Sequence, residues 1–312
     1  MITLSTDTIQ SLRQEHYQAT LVSKRLLHED LGIFRVKPDA PLAPHRAGQY
    51  TTLGLGAWEP RHLDAVAEVL KPGEESRLIR RQYSISHPIL GLNGQLASGV
   101  PSELEFYIVF VRGAEGDETV PALTPRLFQL EPGARLFLGE KIIGFYTLDG
   151  VKPDDTVLLL STGTGEAPHN YMLWELLSKG HRGPILAACC VRENRDLGYR
   201  QTHETLMQQY PHYQYVPLTT REPGQLRKRY LQDLLTSGEL EHLLGHPLQP
   251  ASTHVFLCGN PRMIGVPVID RATKAKSYPE PVGLVQLLEE RGFVADCKAL
   301  KVRGNIHFEE YW

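Results

Sequence analysis

The stretch TVLLLSTGTGEAPHNYMLWELL at residues 156–177 joins an apolar run, a glycine-rich turn and a segment of helical spacing. The apolar run is typical of a strand buried on both faces, and Pro168 suits a first helical turn, where no intrahelical N–H bond is lost. Gly163 and Gly165 leave room for an anion beside the N–H groups of the helix N-terminus. The stretch therefore predicts a strand, a phosphate-binding turn and a helix, with a plain tight turn as the alternative.

Apolar strands and helical segments alternate after this stretch. Fully apolar strands separated by helices are typical of a parallel sheet that is covered on both faces. Residues 151–312 are therefore predicted to form a doubly wound α/β domain. The strand candidates are PILAACCV (184–191), YQYVPLT (213–219) and HVFLCG (254–259), and the helical candidates are TLMQQYP (205–211) and LQDLLTSG (231–238).

In the preceding half of the chain, the apolar residues are spaced differently. Short apolar runs broken by turns predict strands, and regular short strands of this kind form antiparallel barrels or sandwiches. The runs are QATLVSK (18–24), LGIFRV (31–36), QYTTLGL (49–55), QYSISH (82–87), ELEFYIVFV (103–111) and ARLFL (134–138). The change of period predicts a domain boundary near Gly150, with a first domain over residues 1–150.

Composition and charge narrow the possible functions. The 312 residues exceed a comfortable single core, and the formal net charge of −3 gives no reason to expect nucleic acid or an acidic membrane surface as a general partner. The four cysteines form no CxxC cluster, which disfavours a disulfide framework, a zinc site and an iron–sulfur centre, so we expect no metal. Without a signal-like start or an apolar stretch of about 18 residues, we expect a cytoplasmic protein with no membrane span.

Three arginines stand where a nucleotide phosphate could bind. Arg192 follows the strand PILAACCV, at the position where an NAD-selective site has an acidic residue. An arginine there favours a 2′-phosphate and hence NADP. Arg221 follows YVPLTT and Arg229 lies in GQLRKRY, so both could converge on the same group. Each arginine alone is typical of a solvated surface charge, but the recurrence of the three favours phosphate binding.

Two further segments carry residues of possible chemical use. The strand in RRQYSISHP places Arg81 and Tyr83 on one face and Ser84 on the other. CGNPRM ends a strand at Cys258, where ligands bind in open α/β sheets, although a buried inert cysteine is the more common role. The sequence has no GxSxG motif and no evident triad, so nucleophilic hydrolysis has little support.

The Arg-x-Tyr-Ser, GTGxAP and CGNPxM motifs occur in this order at domain-scale spacing. Together they resemble the ferredoxin–NADP reductase family, in particular its bacterial ferredoxin/flavodoxin branch. The resemblance implies an N-terminal antiparallel β-barrel that binds FAD and a C-terminal doubly wound parallel sheet that binds NADP(H). Colinear matches through most of the chain extend it: AGQYTTLGL, ELEFYIVFV, LTPRLFQLEPGARLFL, GFYTLD, DLGY, SGELE and the terminal YW.

The resemblance implies roles for FAD-binding residues. Arg81 would neutralise the FAD pyrophosphate, Tyr83 would stack on the flavin ring and Ser84 would bond near flavin N5. Tyr311 would cover the opposite flavin face and Trp312 the adenine, with the reverse assignment of the two aromatics as the alternative. The implied FAD-binding residues are Arg81, Gln82, Tyr83, Ser84, Tyr107, Ile108, Val109, Phe110, Ala122, Leu123, Thr124, Thr164, Tyr311 and Trp312.

The resemblance likewise implies the NADP site and the catalytic set. Cys258 would lie beside the nicotinamide and, with Ser84 and Tyr311, would form the catalytic residues. The implied NADP-binding residues are Gly163, Gly165, Val191, Arg192, Thr220, Arg221, Arg229, Cys258, Gly259 and Asn260.

The implied activity is that of a ferredoxin–NADP(+) reductase. NADPH would pass a hydride to flavin N5, and the flavin would pass single electrons to ferredoxin or flavodoxin. Such carriers are acidic, so a basic surface around Arg77, Arg80, Arg227 and Lys228 could steer their docking to a chain expected to be a monomer. The alternatives are a reductase component of an oxygenase, a free-flavin reductase, and a non-catalytic flavin- or nucleotide-binding electron-transfer or sensor subunit.

Two segments depart from compact bacterial members of this family. The loop over 56–79 and the region after CGNPRM are both longer here, so the family's loops are not carried over. We expect these segments to affect partner docking or oligomerisation, and the role of the loop 56–79 stays open.

Overall fold

The chain folds into two units in this computed structural model, which describes residues 4–114, 119–270 and 272–311. One unit comprises the described residues of Met1–His87 and Ser98–Phe145, and the other those of Pro88–Ala97 and Tyr146–Trp312. The elements of the first unit are α1 Thr6–His16, β1 Ala19–His28, β2 Leu31–Pro38, β3 Tyr50–Gly56, β4 Leu78–Ser84, β5 Leu104–Val109, α2 Thr124–Leu127 and β6 Arg135–Leu138.

The second unit alternates strands with helices and short 3-10 turns. Within the described ranges, no helix of either unit is long and apolar enough to cross a membrane. The strands are β7 Thr156–Thr162, β8 Ile185–Val191, β9 Tyr213–Thr219, β10 Thr253–Gly259, β11 Val268–Ile269, β12 Lys276–Ser277 and β13 Ile306–Glu310. The helices are α3 Glu166–Ser178, α4 Arg200–Gln209, α5 Leu231–Thr236, α6 Glu239–Leu244, α7 Pro261–Ile264 and α8 Leu284–Glu289, and the 3-10 turns are Gly163–Gly165, Asn194–Asp196 and Lys298–Leu300.

The strands of the first unit form one antiparallel sheet in the order β4-β3-β6-β1-β2-β5. Residues such as Leu21, Leu53 and Phe106 are buried inside the curved sheet. Among the described residues, one isolated bridge joins the edge strands, with the Ser86 N–H donating to the Glu105 carbonyl at 2.8 Å. The predicted antiparallel barrel is therefore confirmed in its architecture, but its β4–β5 seam is not closed by a continuous ladder.

The long segment between β3 and β4 is held by ion pairs rather than by regular secondary structure. Arg126 of α2 is 2% exposed, donates to two main-chain carbonyls and pairs with Glu68 of the segment at 2.7 Å. Arg61 approaches the same carboxylate at 3.3 Å. A buried guanidinium needs such partners, since an unpaired buried charge is strongly destabilising. The segment whose role the sequence left open is thus anchored to the barrel through buried charges.

The helix α1 precedes the first strand and was not predicted. Ser5 caps it by accepting a hydrogen bond from the Thr8 N–H at 3.2 Å. Arg13 donates through Nε and Nη2 to the two carboxylate oxygens of Glu59, at 2.8 and 2.6 Å, and the Tyr17 hydroxyl donates to the same carboxylate at 3.0 Å. This bidentate pair fixes the helix to the segment after β3.

The second unit contains a five-stranded parallel sheet in the order β13-β10-β7-β8-β9. Leu158 and Leu186 belong to a buried cluster with residues of α5, α7 and α8. The alternate residues Leu159 and Ala187 lie with side chains of α3 and α4 around a small enclosed cavity. Helices therefore cover both faces, and the predicted doubly wound α/β fold is confirmed.

Residues 88–97 leave the first half of the chain and lie with the second unit. The Trp174 indole N–H donates to the Ala97 carbonyl, and the Gln209 amide donates to the Gly94 carbonyl, both at 2.8 Å. Apart from residues 88–97, the boundary between the two units falls between Phe145 and Tyr146. The assignment of FAD binding to residues 1–150 and of NADP binding to 151–312 stays a prediction.

Replacing Glu68 by Gln should lower the free energy of unfolding of the first unit by about 3 kcal/mol, because buried Arg126 loses its charged partner. Urea unfolding followed by fluorescence and circular dichroism measures the loss. The matched control is Glu74→Gln, which removes an exposed pair with Arg77 and should cost less than about 1 kcal/mol. Equal, small losses in the two variants would contradict the anchoring role of the buried pair.

Candidate functional site

The turn between β7 and α3 has the shape of a phosphate cradle. Gly163 has a φ of +53°, and nothing lies within 4 Å of the position that its Cβ would take. A Cβ on Gly165 would stand 2.3 Å from the Cys258 carbonyl oxygen, so this glycine permits close packing against β10. The turn opens into α3, a helix of 13 residues whose N-terminus supplies N–H donors and partial positive charge. The predicted strand, turn and helix are all present.

The turn after β10 is fastened to the turn after β7. Gly259 has a φ of +124°, and a Cβ there would lie 2.2 Å from the Thr162 hydroxyl oxygen. The Asn260 N–H donates to that same oxygen at 2.7 Å, and the Asn260 side chain caps α7 by accepting from the Arg262 N–H. Thr162 was not singled out from the sequence, although it directly precedes the GTG motif. The predicted residues Gly163, Gly259 and Asn260 are thus brought together at one edge of the sheet.

Cys258 lies beneath the C-terminal segment. Its side chain is fully buried, and burial raises the pKa of the thiol well above its usual range, which the neighbouring Tyr311 hydroxyl offsets only in part. The Tyr311 N–H donates to the Gly259 carbonyl at 2.8 Å and so extends the pairing of β13 with β10. Trp312 lies outside the described residues. Cys258 is therefore a neutral thiol covered by Tyr311, and not a nucleophile.

Arg192 and Arg221 stand at the carboxyl ends of neighbouring parallel strands. The Arg221 N–H donates to the Arg192 carbonyl at 2.7 Å, and the Thr220 N–H and hydroxyl both contact the Val191 carbonyl at 3.1 Å. Both arginine side chains are exposed, and neither forms an ion pair with any residue in the described ranges. Two arginines are thus joined through their main chains at one edge of the sheet, and both have exposed side chains that an anion can reach.

Arg229 has a different setting from the other two arginines. It lies in the loop before α5 rather than at a strand end, although its carbonyl accepts from the Cys190 thiol at the end of β8. Its half-buried guanidinium forms an ion pair with Glu239 of α6. A phosphate must therefore compete with a carboxylate for Arg229.

Arg81 and Tyr83 project from one face of β4, as the alternation of strand residues predicts. The register with β3 places them opposite Leu53 and Thr51 respectively. Tyr83 meets Phe106 edge to face, with ring centroids 6.4 Å apart, while Arg81 is exposed. Burial raises the pKa of Tyr83, an effect that Arg81 partly offsets, so the ring stays a neutral phenol.

Ser84 and Gln82 complete the motif on β4. Ser84 is 7% exposed and pairs with Tyr50 in the ladder, so little of its surface can reach a ligand. Gln82 is exposed and faces the same side as Thr52. A groove of about 640 Å³ next to this strand carries three cations and one carboxylate, which favours an anion. Its lining residues are Gln18, Thr52, Arg80, Arg81, Gln82, Phe137, Gly139, Glu140 and Lys141.

The end of β5 offers main-chain groups along the open seam. Because the Glu105 carbonyl accepts from Ser86 across the seam, the alternation of the strand turns the main-chain groups of Tyr107 and Val109 the same way. The side chains of Tyr107, Ile108 and Phe110 are buried. The predicted contacts of this strand can therefore come from the backbone, together with the half-exposed Val109 side chain.

The start of α2 lies close to the end of β5. Leu123 is buried, and the Ala122 carbonyl accepts from Arg126. The Thr124 hydroxyl oxygen accepts from the Val111 N–H at 3.2 Å, which leaves its proton to donate elsewhere. The residues predicted around positions 107–110 and 122–124 are thus neighbours in the first unit.

A family model described as the oxidoreductase NAD-binding domain matches residues 159–267, the range that contains both fastened turns. The solved structure of a ferredoxin NADP+ reductase from Neisseria gonorrhoeae with bound FAD and NADP has the same fold. It aligns with a TM-score of 0.65 at 19% identity and covers 94% of this chain and 97% of its own.

Curated relatives are similar along both halves of the sequence. The ferredoxin–NADP reductase of Pseudomonas aeruginosa is 27% identical over 199 residues, which are 61% of this chain and 70% of the relative. The flavodoxin/ferredoxin–NADP reductase of Shigella flexneri is 30% identical over 235 residues, which are 74% of this chain and 81% of the relative. With a barrel-like antiparallel unit, a parallel-sheet unit and this degree of identity, the chain belongs to the flavodoxin/ferredoxin–NADP reductase family.

Proposed function

We propose that the chain is an FAD-dependent oxidoreductase that transfers electrons between NADPH and a one-electron carrier protein, ferredoxin or flavodoxin. The observation that carries the proposal is the pair of exposed arginines, Arg192 and Arg221, which form no ion pair with any described residue and lie at the same sheet edge as the open turn at Gly163. The names of the relatives and the FAD and NADP bound in the Neisseria structure support the same activity.

The NADP site is proposed at the carboxyl edge of the parallel sheet. Gly163, Thr164 and the N-terminus of α3 would hold the pyrophosphate, because the missing Cβ lets an anion approach the main-chain donors. Arg192 and Arg221 would bind the 2′-phosphate, with Val191 and Thr220 forming the floor beneath them. Arg229 would add a third cation on leaving Glu239.

The FAD site is proposed on the first unit along the open seam of the barrel. Arg81 would neutralise the pyrophosphate, Tyr83 would stack on the flavin ring, and the Thr124 hydroxyl would donate to a phosphate oxygen. The main-chain groups of Tyr107 and Val109 offer further partners. These residues fit the group, since a cation, a neutral aromatic ring and backbone donors belong to one unit.

Bound FAD would supply a hydride acceptor that can pass on single electrons. The chain needs no strong acid or base for hydride transfer, so its task is to position two rings. Cys258 suits this task because its thiol stays protonated and uncharged. Tyr311 covers Cys258, so we propose that the tyrosine must move before a nicotinamide can lie there. Ser84 would contribute a small donor with its limited exposed surface.

The carrier would dock through positive charge. Arg227 and Lys228 are exposed on the loop before α5, Arg80 lies over the Phe137 ring at 5.8 Å, and Arg77 is partly engaged by Glu74. Basic groups of this kind raise the association rate with acidic proteins. We propose that the chain works as a monomer in the cytoplasm.

Anaerobic turnover with carriers tests this function. The FAD-loaded protein should reduce ferredoxin or flavodoxin with NADPH as donor, followed by the visible absorbance of the carrier. Free FMN at the same concentration is the control and should be reduced more slowly. Reduction of free flavin without reduction of either carrier would make the protein a free-flavin reductase and overturn the proposal.

Replacing Arg192 by Ala should weaken NADPH binding roughly ten- to a hundred-fold and NADH binding little, because a charge-assisted bond to a 2′-phosphate contributes about 1.5–3 kcal/mol. Titrations with the two cofactors measure the difference. Arg195→Ala is the matched control, since Arg195 is exposed nearby and pairs with Glu193. If Arg192→Ala lowers the affinities for NADPH and NADH equally, Arg192 has a structural role and does not bind the 2′-phosphate.

Removing Tyr311 and Trp312 tests the covering role of the tail. The truncated protein should hold FAD less tightly, show an altered flavin spectrum and have a lower KM for NADPH, because the nicotinamide no longer displaces a ring. Tyr311→Phe keeps the ring and should resemble the wild type in all three measurements. Identical spectra, FAD affinity and NADPH kinetics after the truncation would mean that the tail only completes the sheet.

A further inference from the structure

Glu166 is a carboxylate placed directly behind the proposed phosphate cradle. It follows Gly165, occupies the first turn of α3 and is 2% exposed. A negative side chain there competes with a bound anion for the same helix N-terminus. A buried carboxylate also carries a large desolvation cost unless a neighbour neutralises it. The chain must therefore balance this charge if the turn is to bind a pyrophosphate.

A polar network from α4 and β9 surrounds this carboxylate. The Tyr215 hydroxyl donates to Glu166 Oε1 at 2.9 Å, and His203 Nε2 lies 3.2 Å from the same oxygen. The other ring nitrogen of His203, Nδ1, contacts the Tyr213 hydroxyl at 2.8 Å. The imidazole also stacks on the Tyr215 ring, with centroids 4.0 Å apart and an interplanar angle of 19°. His203 is itself 2% exposed, so solvent does not screen the pair.

The other titratable groups around Glu166 are uncharged. Burial and the nearby carboxylate raise the pKa values of Tyr213 and Tyr215 well above their usual range, so both stay protonated phenols. The same two causes keep Cys189 a thiol. His169 lines the same enclosed cavity, and burial lowers its pKa to about 3, so it stays neutral. Among the described residues that surround Glu166, His203 is the group that can carry the compensating positive charge.

We propose that His203 neutralises Glu166 by sharing one proton with it, and that this neutrality preserves the anion affinity of the turn at Gly163–Gly165. His203 is a positioning residue that does not touch the nucleotide. The inference rests on the proposed NADP site and adds to it a charge balance between α3 and α4.

The test uses the FAD-loaded protein and NADP+ as the probe. His203→Gln keeps the size and polarity of the side chain but removes the charge, and it should weaken NADP+ binding about ten-fold, since one uncompensated carboxylate acts on the pyrophosphate through a low-dielectric region. The double variant Glu166→Gln/His203→Gln has no such carboxylate and should regain most of the affinity. All titrations are run at one pH and one ionic strength, so that the variants differ only in the substituted side chains.

Tyr213→Phe is the matched control, because it removes a hydrogen bond from His203 without changing any charge. Its NADP+ affinity should stay close to that of the wild type. Thermal unfolding sets a temperature at which all variants are folded, so that a loss of structure is not read as a loss of binding. A His203→Gln affinity equal to wild type, or an equal loss in the double variant, would overturn the inference. Failure of the wild type itself to bind NADP+ would instead contradict the proposed function.

Discussion

The close approach of the turns after β7 and β10 is the constraint on which the nucleotide edge of the sheet depends. Gly165 packs against the carbonyl of Cys258, and Gly259 packs against Thr162 with a backbone conformation that side chains rarely adopt. The hydrogen bond from the Asn260 N–H to Thr162 fixes the approach. Any Cβ at these glycines would push the strand ends apart. The open turn at Gly163, the buried Cys258 thiol and Tyr311 all lie beside this contact.

Within the described ranges, the Arg192 and Arg221 side chains at this edge form no ion pair and can meet an anion. The Arg221 N–H donates a hydrogen bond to the Arg192 carbonyl, whereas the Arg229 guanidinium forms an ion pair with Glu239. Glu166 is buried behind the turn, and the buried imidazole of His203 contacts its carboxylate. Burial raises the pKa values of Cys189, Tyr213 and Tyr215 around Glu166, so these groups stay uncharged. Such a site suits recognition and placement of a phosphorylated dinucleotide better than acid–base chemistry, in keeping with a reductase whose reacting groups belong to its cofactors.

The sequence predicted most strands of both sheets because their signals are local: alternation in the barrel and unbroken apolar runs in the parallel sheet. It also predicted that Arg192, Arg221 and Arg229 could converge on one group, and the structure brings Arg192 and Arg221 to neighbouring strand ends. It missed α1, whose attachment depends on Glu59, a residue far along the chain. It likewise missed the partners of Arg229 and Glu166. Ion pairs of this kind depend on how helices pack, which no local pattern records.

Anaerobic mixing of the purified protein with NADPH, and separately with NADH, tests whether the chain is an NADPH-dependent flavoprotein reductase. We expect a yellow protein whose oxidised-flavin absorbance is lost rapidly with NADPH and far more slowly with NADH. A colourless protein that takes up no FAD, or a yellow one whose absorbance NADPH leaves unchanged, would contradict the assignment as a reductase. Equal rates with the two donors would contradict the recognition of a 2′-phosphate by the paired arginines.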